Sequence, residues 1–129
     1  MGTELQMLVC AIGLGLLQLV LAASFTTAQR GLGWGVGARD ETPEPLGRLA
    51  GRIERAFRNF LETFVFFAAA VLLLHATGRG DANSALGAQI YLWARLLYIP
   101  AYAIGVPFLR TLIWAGSLVG IVMVLMPLM

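Results

Sequence analysis

The run LQMLVCAIGLGLLQLVLAASF, residues 5–25, decides the fold class, because it contains no charged side chain over its whole length. Gln6 and Gln18 are its only strongly polar residues. A helix needs about 20 apolar residues to cross the hydrocarbon core of a bilayer. The stretch therefore predicts a first membrane-spanning helix over about residues 4–28, which we expect to be retained rather than cleaved as a signal peptide.

The composition extends this conclusion to the whole chain. Hydrophobic residues make up 59% of the 129 residues and charged residues 12%, against about 45–50% apolar and about 25% charged in a soluble domain. The length leaves room for about four spans of roughly 20 residues each and their loops. We therefore expect an all-α integral membrane protein, in which residues 1–129 form a single domain with four transmembrane helices.

Breaks in the apolar pattern divide the rest of the chain. Residues 29–45 are rich in glycine, proline and charge, which predicts one long loop. Two shorter breaks, at residues 78–81 and 105–107, predict tight connections, so the last two helices are expected to be antiparallel neighbours. The helices that follow the long loop are expected over about residues 46–77, 84–105 and 107–127.

All nine basic residues are arginine, and the formal net charge is +2. Nucleic-acid-binding surfaces normally use lysine as well, so the pattern argues against nucleic acid as a partner. Arginine suits bidentate recognition of carboxylates and buried ion pairs. Cys10 is the only cysteine and His75 the only histidine, so we expect neither an intramolecular disulfide nor a metal site.

The positions of the arginines predict the orientation in the membrane, because cytoplasmic flanks attract basic residues. Arg79 lies on the side of both termini. The opposite side holds the long loop, in which Trp34 and Arg39 suit an anchor at the headgroup level. That side also carries Arg30, Arg48, Arg52 and Arg110. We therefore expect loop 29–45 to be cytoplasmic and both termini to lie on the other side.

Polar residues form one stripe on each of the two middle helices. At about 100° per residue, each set stays within a narrow arc of its helix. The stripe on the second helix consists of Arg48, Arg52, Arg55, Asn59 and Glu62. The stripe on the third consists of Tyr91, Arg95, Tyr98 and Tyr102. Arg58 lies beside the first stripe, where a pair with Glu62 is geometrically open.

Ionisable groups at membrane depth are costly, and they persist when they pair or line a wet cavity. Glu62 and Arg95 are the strongest candidates for such groups. One interpretation is that an arginine–glutamate pair and an asparagine only join the two helices. The other is a functional pocket, in which the surplus of arginine calls for an anionic ligand or headgroup.

Two motifs carry a resemblance to a known family. The run ERAFRNFLE, residues 54–62, resembles the Glu-Arg-x-x-x-Asn-x-x-Glu signature on the second helix of the membrane-associated proteins in eicosanoid and glutathione metabolism, the MAPEG superfamily. The run ARLLYIPAY, residues 94–102, resembles its third-helix signature, Ala-Arg-x-x-Tyr-x-x-x-Tyr. The loop GARDE, residues 37–41, is similar to that of a bacterial branch of this superfamily.

The resemblance implies a homotrimer of four-helix subunits in a bacterial inner membrane, with glutathione as co-substrate held between neighbouring subunits near the cytoplasmic side. Carried over by position, the glutathione-binding residues are Arg55, Asn59, Glu62, Arg95, Tyr98 and Tyr102. Arg30 is a further candidate for binding. Arg110 occupies the place of the arginine that is proposed to stabilise the thiolate. Phe57 and Thr63 depart from the residues that are frequent in relatives.

The predicted function is therefore that of a membrane-embedded glutathione-binding protein, similar to microsomal glutathione transferases. It would act as a transferase or peroxidase on lipophilic electrophiles or lipid hydroperoxides that enter from the bilayer. The alternative is a non-catalytic membrane scaffold that binds a lipid or fatty acid in the same cleft, because a shared family does not establish a shared activity.

Overall fold

The computed structural model describes residues 1–31, 33, 37–38 and 45–129. Its long helices are α1 (Thr3–Arg30), α2 (Arg48–Thr77), α3 (Ala82–Ile104) and α4 (Pro107–Leu125), and a short 3-10 helix, Met126–Leu128, follows α4. The predicted headgroup anchors, Trp34 and Arg39, lie outside the described residues.

Three of the described helices have the length and apolar composition that a membrane crossing requires: α1, α2 and the segment Pro107–Leu128. α3 has a comparable length of 23 residues, but its polar side chains are spread along the helix, whereas those of α2 lie mostly in its first half. It packs against all three other helices, and Ser84, Tyr91, Arg95 and Tyr98 are among its buried residues. The bundle thus covers polar groups that would be costly in contact with lipid.

Aromatic and branched side chains fill the centre of the bundle. Phe60, Phe67 and Val71 of α2 are almost fully buried, as is Val124 of α4. The ring of Phe67 stacks on that of Tyr91 in α3, with 4.0 Å between their centroids. The Tyr91 hydroxyl is hydrogen-bonded to Oγ1 of Thr63 at 3.1 Å, so the polar group of this buried ring has a partner.

α3 and α4 approach each other most closely where two glycines meet. A Cβ atom on Gly87 would lie 2.7 Å from the carbonyl oxygen of Gly120, and one on Gly120 would lie 2.6 Å from that of Gly87. Small residues allow such backbone contact between membrane helices. This contact and the short turn at Gly105 and Val106 hold the two helices as antiparallel neighbours.

The helix ends have identifiable local causes. Asp81 begins α3 as its N-cap, and its side chain accepts a hydrogen bond from the Ser84 amide at 2.8 Å. The Ser84 hydroxyl donates to Glu4 at 2.6 Å, which ties the start of α3 to the start of α1. At the other end, the Gln29 side chain accepts from the Gly47 amide at 2.7 Å and donates to the carbonyl of Pro45 at 2.8 Å. These two bonds keep the chain outside a helix until Arg48.

Candidate functional site

A cavity of about 520 Å³ lies between α2, α3 and α4. It is nearer to the end of the bundle that carries the α3–α4 turn, which we call the turn end. The described residues that line it are Arg55, Arg58, Asn59, Glu62, Tyr98, Tyr102, Arg110, Thr111 and Trp114. Its size falls within the range of small-molecule sites.

The α2 side of the cavity is a polar stripe with helical spacing. Arg55, Asn59 and Glu62 follow each other by steps of four and three residues, which places them on one face of the helix. Arg55 reaches across to α3, where its Nε donates a hydrogen bond to the Tyr102 hydroxyl at 3.0 Å. Since that bond crosses between helices, it fixes one wall of the cavity relative to the other.

Two tyrosine rings of α3 lie between two guanidinium groups. Cζ of Arg95 lies 4.3 Å from the ring centroid of Tyr98, and the rings of Tyr98 and Tyr102 are 5.7 Å apart. On the far side, Cζ of Arg110, from the first turn of α4, lies 4.8 Å from the Tyr102 centroid. Cations attract aromatic faces at these distances, so the rings help to hold both arginines in place.

Arg95 is the most unusual group at the site. Only 1% of its surface is exposed, and its three guanidinium nitrogens have no hydrogen-bond partner among the described residues. It lies behind Tyr98 and is not among the residues that line the cavity. A buried cation without a hydrogen-bonded counter-charge is unfavourable, and Arg95 adds positive charge behind the cavity wall.

Arg58 forms an ion pair beside the cavity, but its partner is not Glu62, the acid that the helical spacing had allowed. Nη2 of Arg58 pairs with Oε1 of Glu54 at 3.1 Å, and both side chains are exposed. This pair has the favourable helical order, with the acid four residues before the base. In the part of the chain that the structure describes, Glu62 forms no ion pair within 4 Å with Arg58 or Arg95. It lines the cavity instead.

Most of the predicted site residues meet at this cavity. Six of the eight line it, namely Arg55, Asn59, Glu62, Tyr98, Tyr102 and Arg110. Arg95 is buried behind it. Arg30, the last residue of α1, instead lines a groove of about 260 Å³ at the turn end, which also includes Arg55 and Arg58. Arg30 therefore belongs to a neighbouring surface.

Three lining residues were absent from the predicted set. Arg58 lies beside the α2 stripe, and its spacing to Glu62 was the available signal. Thr111 directly follows Arg110. Trp114 lies one helical turn further along the same face of α4, which the spacing alone could have indicated. It supplies the cavity with a large, partly exposed apolar ring.

The charges give the cavity a defined chemistry. Arg55, Arg58 and Arg110 bring three positive charges, and Glu62 brings the one negative charge among the described lining residues. Guanidinium groups bind carboxylates through paired hydrogen bonds, while a lone carboxylate suits an ammonium group. The arrangement fits an anionic, amphoteric ligand.

Fold and site together define the class of the protein, a small multi-pass helical membrane protein with a positively charged cavity among its helices. The MAPEG family matches residues 7–129, and the chain belongs to this family. Comparison with curated proteins gave no match, nor did comparison with solved structures. The match confirms the superfamily predicted from the two motifs, whose members include glutathione transferases and peroxidases.

Proposed function

We propose that this protein binds glutathione in the cavity and uses it as co-substrate, as a transferase or peroxidase for lipophilic electrophiles or lipid hydroperoxides. The observation that carries the proposal is the convergence of Arg55, Glu62 and Arg110, from two helices, on one cavity of about 520 Å³. Membership of the MAPEG family supports it.

Glutathione matches the charge pattern of the lining residues. It has two carboxylates, for which Arg55 and Arg58 offer guanidinium groups, and one ammonium group, for which Glu62 offers a carboxylate. Asn59, Tyr98 and Tyr102 supply neutral polar groups for the peptide backbone. The unpartnered guanidinium of Arg95 supports this assignment, because a bound anion would offset its charge.

Arg110 is the residue that we assign to thiolate formation. A thiol with an ordinary pKa of about 8.5 is mostly protonated at neutral pH, and a nearby cation favours its thiolate form. Arg110 lies in the first turn of α4, with its guanidinium against Tyr102. In a transfer reaction the thiol proton would pass to water, and the thiolate sulfur would bond to the electrophilic carbon. The bond between that carbon and its leaving group would break, and the leaving group would depart with the bonding electron pair.

The lipophilic second substrate would reach the thiolate along α4. Trp114 lies one turn beyond Arg110 on the cavity wall, and Leu112 between them is 70% exposed. In a bilayer such a surface faces acyl chains. A substrate dissolved in the membrane would therefore enter sideways rather than through water.

The proposal includes the assembly and the orientation of the protein. We infer a homotrimer in a bacterial inner membrane, with the turn end in the cytoplasm. The turn end carries Arg30, Arg48 and Arg110, whereas the opposite end carries Arg79 beside Glu4 and Asp81. This asymmetry supports the orientation, because the positive-inside rule counts basic residues near the helix ends.

Thiolate formation provides the direct test. Titration of the purified protein with glutathione should produce the ultraviolet absorbance of a thiolate at neutral pH, and Arg110→Ala should lower both this signal and turnover by about a hundredfold. Arg79→Ala, at the opposite end of the bundle, is the control and should change neither. If Arg110→Ala retains signal and turnover, the role assigned to Arg110 is wrong.

A second candidate function is supported by an apolar groove. Between α1 and α2 lies a groove of about 210 Å³, lined by apolar residues such as Leu16, Phe57 and Phe64. It suits an acyl chain, as a non-catalytic lipid- or fatty-acid-binding scaffold would require. Two binding measurements distinguish the functions, because the groove and the cavity share no lining residue: tight lipid retention without measurable glutathione affinity would favour the scaffold.

A further inference from the structure

Arg52 of α2 reaches beyond its own helix to the end of α3. Its Nη1 donates a hydrogen bond to the carbonyl oxygen of Ala103 at 3.0 Å. Ala103 lies in the last turn of α3, where backbone carbonyls have no N–H partner within the helix. The positive charge of Arg52 also faces the negative end of the α3 dipole, which is a favourable position for a cation.

The same guanidinium packs against the turn that follows. Gly105, which ends α3, has a φ of +86°, a conformation that favours glycine. A Cβ atom on this residue would lie 2.7 Å from Nη2 of Arg52. The guanidinium therefore occupies the space directly beside the glycine backbone, in addition to its hydrogen bond at the end of α3.

This turn determines where Arg110 lies. Val106 alone separates Gly105 from the first residue of α4. The Arg110 amide donates to the carbonyl of Val106 at 3.2 Å, so the backbone of Arg110 is bonded directly to the turn. Cζ of Arg110 lies 4.8 Å from the centroid of the Tyr102 ring, and a displacement of the turn would break this contact.

We propose that Arg52 is a positioning residue, which fixes the α3–α4 turn and thereby places Arg110 at the cavity. It is not among the residues that line the cavity, so its effect passes through Arg110 rather than through contact with the ligand. The inference rests on the proposed function, because the residue that Arg52 places, Arg110, is the one assigned to stabilise the glutathione thiolate.

Hydrogen exchange tests the contact without reference to activity. In Arg52→Gln, amides in the peptide that covers Gly105 and Arg110 should exchange about tenfold faster, as expected when a charged hydrogen bond is lost. Arg52→Lys keeps the charge and a donor and should restore most of the protection. Arg48→Gln removes an exposed arginine one turn earlier and is the matched control, which should not change the exchange. Unchanged exchange in Arg52→Gln overturns the proposal.

A double-mutant comparison tests the link to Arg110. Arg52→Gln should lower kcat and the thiolate absorbance about tenfold, because a displacement of about 1 Å strongly affects catalysis. The KM for glutathione should stay within about twofold. In an Arg110→Ala background, Arg52→Gln should have no further effect.

The outcomes separate this inference from the proposed function. Independent losses in the double variant, or a glutathione KM that rises as much as kcat falls, overturn the positioning role of Arg52. If the wild-type protein itself gives no thiolate signal with glutathione, the proposed function fails; faster exchange in Arg52→Gln then still supports the contact at the turn.

Discussion

At the scale of single residues, Glu62 is the side chain that we expect to select the ligand of the cavity. It is the one acidic side chain among the described lining residues, and it faces the cavity without an ion-pair partner there. Two other acids near α2 and α3 are already engaged: Glu54 pairs with Arg58, and Asp81 caps α3. The carboxylate of Glu62 is thus the available site for a ligand cation.

Glu62→Gln should weaken glutathione binding about tenfold or more, because a charge-assisted hydrogen bond to the ligand ammonium is lost. A glutathione analogue that lacks this ammonium should bind wild type and variant equally well. Glu4→Gln, which removes an acid at the opposite end of the bundle and keeps an acceptor for the Ser84 hydroxyl, is the matched control. Equal weakening for glutathione and for the analogue would contradict the assigned role of Glu62.

Arg95 shows what residue spacing predicts and what it does not. The spacing placed Arg95 correctly on the same face as Tyr98 and Tyr102, but it also suggested a partner in Glu62. How deeply each side chain is buried depends on its rotamer and on the packing of neighbouring rings, which residue spacing does not specify. Arg95 lies over Tyr98 and is 1% exposed, while Glu62 turns toward the cavity.

Arg95→Met should raise the melting temperature of the ligand-free protein by a few degrees, because replacement of an unpartnered buried charge by an apolar side chain is often stabilising. The same variant should lose most of the stabilisation that glutathione gives to the wild type. Thermal unfolding in detergent, with and without glutathione, measures both effects. A lower melting temperature of the ligand-free variant would instead favour a role for Arg95 in joining the helices.

The elements of the fold depend on local signals and on a few distant contacts. The apolar runs predicted the four helices, and each observed end lies within two residues of its predicted place. The start of α2 is shifted because Gln29 bonds to Pro45 and Gly47. That contact crosses a long loop, so the pattern around residue 46 could not reveal it.

The contact between α3 and α4 yields a prediction with an internal control. Gly120→Ala should destabilise the protein by about 1–3 kcal/mol, because the added methyl group would meet the backbone of Gly87. Gly116 lies one turn earlier on α4 and has open space where a Cβ would be, so Gly116→Ala should have little effect. Thermal unfolding of both variants measures the difference. Equal melting temperatures would show that the helices do not meet at Gly120.

At the scale of the whole molecule, composition was enough to predict an all-helical membrane protein, and family membership agrees with it. The cavity was less predictable. Two stripes on separate helices indicated a shared site, but the contribution of α4 depended on the α3–α4 turn. Thr111 and Trp114 line the cavity because the α3–α4 connection directs the start of α4 toward α2.

Native mass spectrometry from a mild detergent tests the assembly. We expect the mass of three 13.9 kDa chains and, after incubation with glutathione, added mass from bound ligand. The exposed apolar side chains on all four helices leave large surfaces for contact with lipid and with other copies. A monomer that persists at all detergent concentrations would contradict the trimer.

Equilibrium binding of glutathione to the wild-type protein in lipid nanodiscs tests the central claim most directly. Isothermal titration calorimetry should show saturable binding that Glu62→Gln weakens about tenfold and that Glu4→Gln leaves unchanged. The absence of saturable binding to wild-type protein that is folded and free of retained lipid would contradict the assignment of this cavity to glutathione.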